Sequence, residues 1–341
     1  MTVAVTGGSG HIGVNLIRTL LQQRREVRVL IHNENRPGLD GLDIQRIHGD
    51  IRDPYSLVKL VSGVDVVYHL AASISLSSRN WKEVEAVNVT GTRNVVDACQ
   101  KCNVGKLIHF SSIHALVQEP FDIPVDERRP LVDMQRCPPY DRSKAAGELE
   151  IRAGVEQGLD AVILNPTGVV GPHDYEPSYF GAALLAMAQG KLPALIEGGF
   201  NWVDVRDVAA AALQAEAHGH QGARYLLSGN YATIRELAEL IYELVGTPVP
   251  RWVAPAWLVL SGSPALAVFN RLTGGRQLLN ASSLRALSTC NREISHERAT
   301  RELDYHPRPL RETLRDTFNW FQSNGQLKKS PGKTKTTNRG R

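Results

Sequence analysis

The stretch "TVAVTGGSGHIGVNLIRTLLQQ", residues 2–23, decides how the chain is read. "TVAVT" (2–6) is a continuous run rich in β-branched residues, as expected of a strand buried on both faces. "HIGVNLIRTLLQQ" (11–23) repeats its apolar residues with the 3.6 period of a helix. Between them lie Gly7, Gly8, Gly10 and Gly13, which give both Gly-x-Gly-x-x-Gly and Gly-x-x-Gly-x-x-Gly spacings. A glycine triplet alone is weak evidence, but here it joins a strand to a helix. In that context glycine permits the tight turn and lets the backbone approach a pyrophosphate. The helix N-terminus then supplies free amides and partial positive charge.

Outward from this turn the alternation continues. "EVRVLIH" (26–32), "VDVVYHLA" (64–71), "KLIHFSS" (106–112) and "DAVILNP" (160–166) read as strands. "EAVNVTGTRNVVDACQKC" (85–102) and the segment opening at Tyr140 read as helices. Strands buried on both faces and separated by helices predict an α/β, doubly wound parallel sheet of the Rossmann kind. From Gly171 the alternation fades, until "NWVDVRDVAAAALQAEA" (201–217) reads as a strand-to-helix return. "TIRELAELIYELVG" (233–246) reads as an amphipathic helix with Thr233 as N-cap and Glu236 three residues on. The expected organisation is a dinucleotide-binding domain over 1–170 plus about 201–230, a smaller substrate lobe over 171–200 plus 231–325, and a disordered basic tail over 326–341.

Composition narrows the function classes. The formal charge is +4, but "KKSPGKTKTTNRGR" at the end holds six basic residues and no acid. Removing these six from +4 leaves −2, a near-neutral body with no call for an acidic partner. The tail lacks apolar residues and is read as solvated rather than as a nucleic-acid or lipid contact. Four cysteines make no disulfide framework and fit a reducing, cytoplasmic compartment. Cys99-Gln-Lys-Cys102 sits late in a helical pattern, which is read as structural rather than as a metal or redox pair. No signal peptide is visible at the start, and no transmembrane segment is expected. The most apolar stretch, 252–269, is interrupted by proline and glycine and is read as a buried or cleft-covering helix pair. The sharper reading is a membrane-surface contact or the wall of an apolar substrate site. There is no Gly-x-Ser-x-Gly elbow, no His-Glu-x-x-His zinc motif and no nucleic-acid-binding signature.

Two features carry the chemistry. A carboxylate about twenty residues beyond the glycines normally holds the ribose of NAD. Here that place is His32 or Asn33, with Arg36 close by and Glu34 between. Arginine attracts a 2′-phosphate and a carboxylate repels it, so NADP is favoured, with NAD as the alternative. Tyr140 and Lys144 lie four apart at the start of a helix, beyond the strand that ends in Ser111 and Ser112. A phenol titrates near 10 and is a poor base at neutral pH. An ammonium on the same helix face is expected to lower that value, and a serine hydroxyl to hold the substrate oxygen.

The motifs "TGGSGHIG" (6–13), "GDIRD" (49–53), "HLAA" (69–72), "NVTGT" (88–92), "FSS" (110–112), "YDRSK" (140–144) and "NPTGVVGP" (165–172) follow one another in the order found in extended short-chain dehydrogenases/reductases, which the chain resembles over nearly all of its length. Within that family it looks closest to the branch of dihydroflavonol reductases and 3β-hydroxysteroid dehydrogenases, with nucleotide-sugar epimerases beside it. The resemblance implies that Gly7, Gly10, Ile12 and Gly13, with His11, hold the pyrophosphate. It places Asp50 and Ile51 at the adenine, and Leu70, Ala71 and Ala72 along the cofactor channel. Asn88 supports the helix of Tyr140, and Asn165 and Thr167 stand near the nicotinamide end. Tyr140 is implied as acid/base, Lys144 as the ribose holder, and Ser112 rather than Ser111 as their partner. Ser73, His114 and Tyr175 are candidates to face the substrate. Asn165 stands where nucleotide-sugar enzymes often carry arginine, which points to a substrate without a diphosphate. Asp207 matches a position taken as a helix N-cap.

Three functions follow as expectations. The first is NAD(P)-dependent hydride transfer to or from a ketone or secondary alcohol of a small apolar molecule. The second is a nucleotide-sugar epimerase or dehydratase with tightly bound NAD. The third is a non-catalytic cofactor-sensing module, disfavoured because Tyr140 and Lys144 are both present. No metal is expected. By analogy alone, the resemblance implies a homodimer through a four-helix contact.

Overall fold

The computed structural model of the chain describes residues 1–74, 81–192, 194–255 and 290–328. A seven-stranded sheet forms its centre, built from β1 (Thr2–Thr6), β2 (Glu26–Ile31), β3 (Gln45–His48), β4 (Val66–His69), β5 (Lys106–Phe110), β6 (Ala161–Pro166) and a last strand, Arg224–Leu227. From one edge the order is β3, β2, β1, β4, β5, β6 and Arg224–Leu227, and every neighbouring pair is parallel. The order reverses between β1 and β4, with Thr6 opposite His69. In an open α/β sheet that switch point opens a crevice beyond the strands' carboxyl ends.

Alternation along β1 divides the core. Val3 and Val5 join one apolar cluster with Leu16 and Ile17 of α1 (His11–Gln22) and with Val208 and Ala212 of the helix Val205–His218. Ala4 points the other way, into a cluster with Leu57 of α2 (Pro54–Val61) and Val95. Val95 belongs to α4 (Gly91–Lys101), which α3 (Trp81–Glu85) enters through a π-turn at Ala86–Thr90. Ile151 of α5 (Pro139–Glu156) completes that face. Sequence periodicity finds most of these elements. It misses β3, α2 and Arg224–Leu227, which are short. α2 carries its own start signal nonetheless: Pro54 at the first position and Asp53 accepting from the amides of Tyr55 and Ser56.

A second body of structure covers the crevice. β7 (Gly168–Val170) pairs with the strand Gly199–Asp204, which in turn pairs antiparallel with Asn230–Thr233. Leu184, Phe200, Trp202, Leu237, Ile241 and Phe318 form its own apolar cluster. The helix Ile234–Val245 has the expected capping box between Thr233 and Glu236. Asp207 is not an N-cap: Asp204 caps the helix Val205–His218 by accepting from the amide of Arg206, and Asp207 binds Arg308. The tail begins later than 326, since Leu327 is buried and the Gln326 side chain donates to the Tyr175 carbonyl at 3.0 Å. The apolar segment 252–269 beyond Pro255, and the basic tail beyond Lys328, lie outside the described residues.

Candidate active site

The crevice is a single cleft of about 1300 Å³ that runs from the glycine turn to the second body. At one end lie Gly7, Gly10, His11, Ile12 and Gly13. Gly7 has φ +72°, and a Cβ there would meet the Ala71 amide at 2.5 Å. A Cβ on Gly13 would lie 2.4 Å from the Gly7 carbonyl oxygen, so helix and turn can close only on glycine. Gly10 differs: its Cβ direction meets only the Gly7 oxygen, at 3.4 Å, and otherwise faces the cleft. α1 has no side-chain cap and no acidic residue in its first turn. Its amides and dipole are therefore open to an anion, and the residues present fit a dinucleotide pyrophosphate. The His11 imidazole meets the Pro172 carbonyl at 3.0 Å.

Beyond the turn, His32, Asn33, Arg36, Asp50, Ile51 and Arg52 line the wider end of the cleft. Asp50 accepts from the Arg52 guanidinium (Nε to Oδ1, 2.9 Å) and from the Arg52 amide at 2.8 Å. Chiefly through Arg52, its carboxyl is held down at about 2, from an ordinary 3.8. Arg36 donates to Glu176 at 2.8 Å, so the arginine expected to favour a 2′-phosphate already has an anionic partner. Leu70, Ala71, Ala72 and Thr167 line the middle. The Thr167 hydroxyl donates to Asn201 at 3.0 Å.

α5 brings Tyr140 and Lys144 into the cleft wall, with Lys144 against the end of β5. Tyr140 and Ser112 both line this part of the cleft, and the Ser112 hydroxyl accepts from the His114 amide at 3.2 Å. Ser111 is also buried, but its hydroxyl has no hydrogen-bond partner among the described residues. The Lys144 ammonium donates to the Phe110 carbonyl at 2.9 Å. Burial pushes Lys144 down to about 8, partly opposed by Glu148 one turn on. Burial also pushes the Tyr140 phenol up to about 12; the Ser112 contact opposes this and Asp141 adds to it. The expectation that Lys144 lowers this phenol is not met, because the loss of hydration outweighs its neighbours. In this state Tyr140 is a proton donor.

Three expected site residues stand behind the cleft rather than in its wall. Asn88 is buried, and its amide donates to the Ser73 carbonyl at 3.0 Å and to the Ser143 hydroxyl at 2.8 Å. Ser143 donates onward to the Tyr140 carbonyl at 2.7 Å, so Asn88 steadies the start of α5. Ser73 is taken up by the same amide, its N–H donating to Asn88 Oδ1 at 2.7 Å, and it does not line the cleft. Asn165 is fully buried, donating to the Ser112 carbonyl at 2.8 Å and to Glu148 at 2.6 Å. It holds the Ser112 backbone from behind the cleft.

His114 and Tyr175 do line the cleft. The His114 ring stands edge-on to Tyr140 with centroids 6.1 Å apart, and its Nδ1 is 3.7 Å from Asp141. The Tyr175 hydroxyl accepts from Arg18 at 2.9 Å. Several important residues escaped sequence reasoning. Glu148 and Arg224 form a buried ion pair, with Arg224 Nε to Oε2 at 3.1 Å, that ties α5 to the sheet edge. A faint signal existed, since Glu148 continues the four-residue spacing of Tyr140 and Lys144. Phe180, Phe200 and Trp202 form a mutually edge-on aromatic trio with centroids 5.0–5.6 Å apart, and they wall the far end with Val117, Phe121 and Ile234. No local motif marks them.

Comparisons with known proteins add the lineage. A family model described as "NAD dependent epimerase/dehydratase family" matches residues 3–227. "Sterol demethylase protein B" of Methylococcus capsulatus is 34% identical over 330 residues, spanning 96% of this chain and 100% of that protein. A "putative dihydroflavonol 4-reductase" of Synechocystis is 30% identical, spanning 95% of each chain. The crystal structure of gox2253 superposes with a TM-score of 0.82 at 30% identity, covering 96% of this chain and 99% of that one.

Proposed function

The chain belongs to the NAD dependent epimerase/dehydratase family, and from that premise we propose that it is an NADP-dependent oxidoreductase for the ketone or secondary alcohol of an apolar, ring-sized molecule. The observation that carries this reading is that Tyr140, Ser112 and Lys144 line the same cleft as the glycine turn and the aromatic trio. Gly7 to Gly13 and the α1 amides would hold the pyrophosphate, Asp50 and Ile51 the adenine, and Lys144 the nicotinamide ribose. When bound, the reduced nicotinamide supplies a hydride. Ser112 and Tyr140 would hold the substrate oxygen between two hydroxyls. Tyr140, with its phenol near 12, gives that oxygen a proton as the carbon is reduced. The resulting phenolate lies one helical turn from the Lys144 ammonium, which is able to stabilise it.

The substrate class rests on the far end of the cleft. Phe180, Phe200, Trp202, Phe121 and Ile234 offer apolar and aromatic surface suited to a ring system. The name of the sterol-related relative points the same way. The residues of 171–200 and 231–325 would act as the substrate lobe.

The test is NADPH oxidation, followed at 340 nm, over a panel of apolar cyclic ketones, ketosteroids included, with nucleotide sugars in parallel. Turnover of a ketone by the wild type and its loss in Tyr140→Phe are expected. Tightly co-purifying NAD, with conversion of a nucleotide sugar and no ketone turnover, would replace this reading by the epimerase one.

A further inference from the structure

We infer that Glu176 tunes the discrimination between NADP and NAD by competing with the ribose 2′-phosphate for Arg36. The inference rests on the proposed cofactor and deepens it. The two arginines at the nucleotide end are held in different ways. Arg52 is gripped by Asp50 two residues away, through Nε at 2.9 and 3.1 Å and its own amide at 2.8 Å. Such a local, multiply bonded fork gives up its carboxylate reluctantly. Arg36 makes one bond, Nη1 to Glu176 Oε2 at 2.8 Å, to a residue 140 positions further along the chain. The two side chains are 29% and 47% exposed. An ion pair that open to water is weak, and a phosphate with more charge and more acceptor oxygens displaces a carboxylate from it.

The backbone at Glu176 is held without Arg36. Its neighbour Tyr175 is fixed by the Arg18 guanidinium at 2.9 Å and by the Trp320 ring, with centroids 5.0 Å apart. The Tyr175 ring also packs over Gly38, just after Arg36, so the two loops meet at the mouth of the cleft. When a 2′-phosphate takes Arg36, the Glu176 carboxylate stays close by and repels it. A 2′-hydroxyl meets no such repulsion. Glu176 therefore weakens the binding of the phosphorylated dinucleotide selectively, while Arg36 strengthens it. Glu34 also stands at this end, 3.2 Å from the His48 ring, and Asp50 faces Arg52 and, at 3.7 Å, the His32 ring.

Calorimetric titration of the whole chain with NADPH and with NADH, for the wild type, Glu176→Gln and Arg36→Gln, tests this. Thermal melts confirm that each variant is folded. Glu176→Gln is expected to tighten NADPH about fivefold, the worth of one exposed charge contact, and to leave NADH within about twofold. Arg36→Gln is expected to weaken NADPH about tenfold and to leave NADH unchanged. If Arg36→Gln weakens NADPH but Glu176→Gln changes nothing, the inference is overturned and the NADP reading survives. If Arg36→Gln leaves NADPH affinity intact, both fall. Neither titration depends on turnover, so a wrong substrate class would show in the ketone assay and leave these affinities as expected.

Discussion

The two ends of the cleft are built from different materials. The glycine end is made of backbone: its shape follows from where a Cβ cannot fit, and Gly7 and Gly13 leave no alternative. The aromatic end is made of side chains from two separate elements, Phe180 from one helix and Phe200 and Trp202 from a strand. A backbone site binds what every member of a lineage shares, here a dinucleotide pyrophosphate. A side-chain site is free to vary with the substrate. Tyr140 lines the same cleft as both, and in the proposed function it is the group that delivers the proton.

That contrast can be broken at several points. The largest effect is expected from Tyr140→Phe, which should cut turnover by about 10²- to 10⁴-fold while leaving NADPH affinity within about twofold. A variant that keeps its rate would remove the junction altogether. Next is Arg224→Met, which strands Glu148 as a buried carboxylate behind α5 and should cost about 3–5 kcal/mol of stability in chemical denaturation. Gly13→Ala forces a methyl against the Gly7 oxygen. It should cost about 1–3 kcal/mol and abolish measurable dinucleotide binding, while the aromatic end stays intact to an apolar fluorescent probe. Phe180→Ala should do the reverse, raising KM for an apolar ketone about tenfold with NADPH affinity unchanged.

The smallest effect concerns acid. The Asp50 carboxyl is held at about 2, against 3.8 ordinarily, so its contribution to stability is fully present above about pH 4. It is lost as the pH falls towards 2, because the unfolded chain takes up the proton first. Asp50→Asn should flatten the acid limb of the melting-temperature profile slightly and leave the neutral region alone.

The same contrast explains what the sequence discloses. A pyrophosphate turn needs glycine at fixed spacings, and parallel strands need unbroken apolar runs, so residues 2–23 identify the fold without help. Tyr140 and Lys144 are legible because one helical turn separates them. Asn88 and Asn165 are findable as motif positions, and the resemblance already implies that Asn88 supports the helix of Tyr140. Packing adds the means: Asn88 acts through Ser143, and Asn165 holds the Ser112 carbonyl. The tuning of Tyr140 was misjudged for a related reason. Spacing reports the ammonium nearby but not the dehydration of the phenol, and the latter dominates. The pairing of Glu148 with Arg224 and the aromatic trio depend on contacts between residues far apart in the chain, which no local pattern encodes.

The measurement that bears most directly on the account is a crystal structure of the chain with NADP⁺ bound. The account places the pyrophosphate over the Gly7–Gly13 turn, the 2′-phosphate at Arg36, and the nicotinamide beside the hydroxyls of Tyr140 and Ser112, close enough for a carbonyl carbon to meet both, about 3–3.5 Å from each reacting atom. A nicotinamide directed away from Tyr140, or a pyrophosphate bound elsewhere than on the glycine turn, would contradict it.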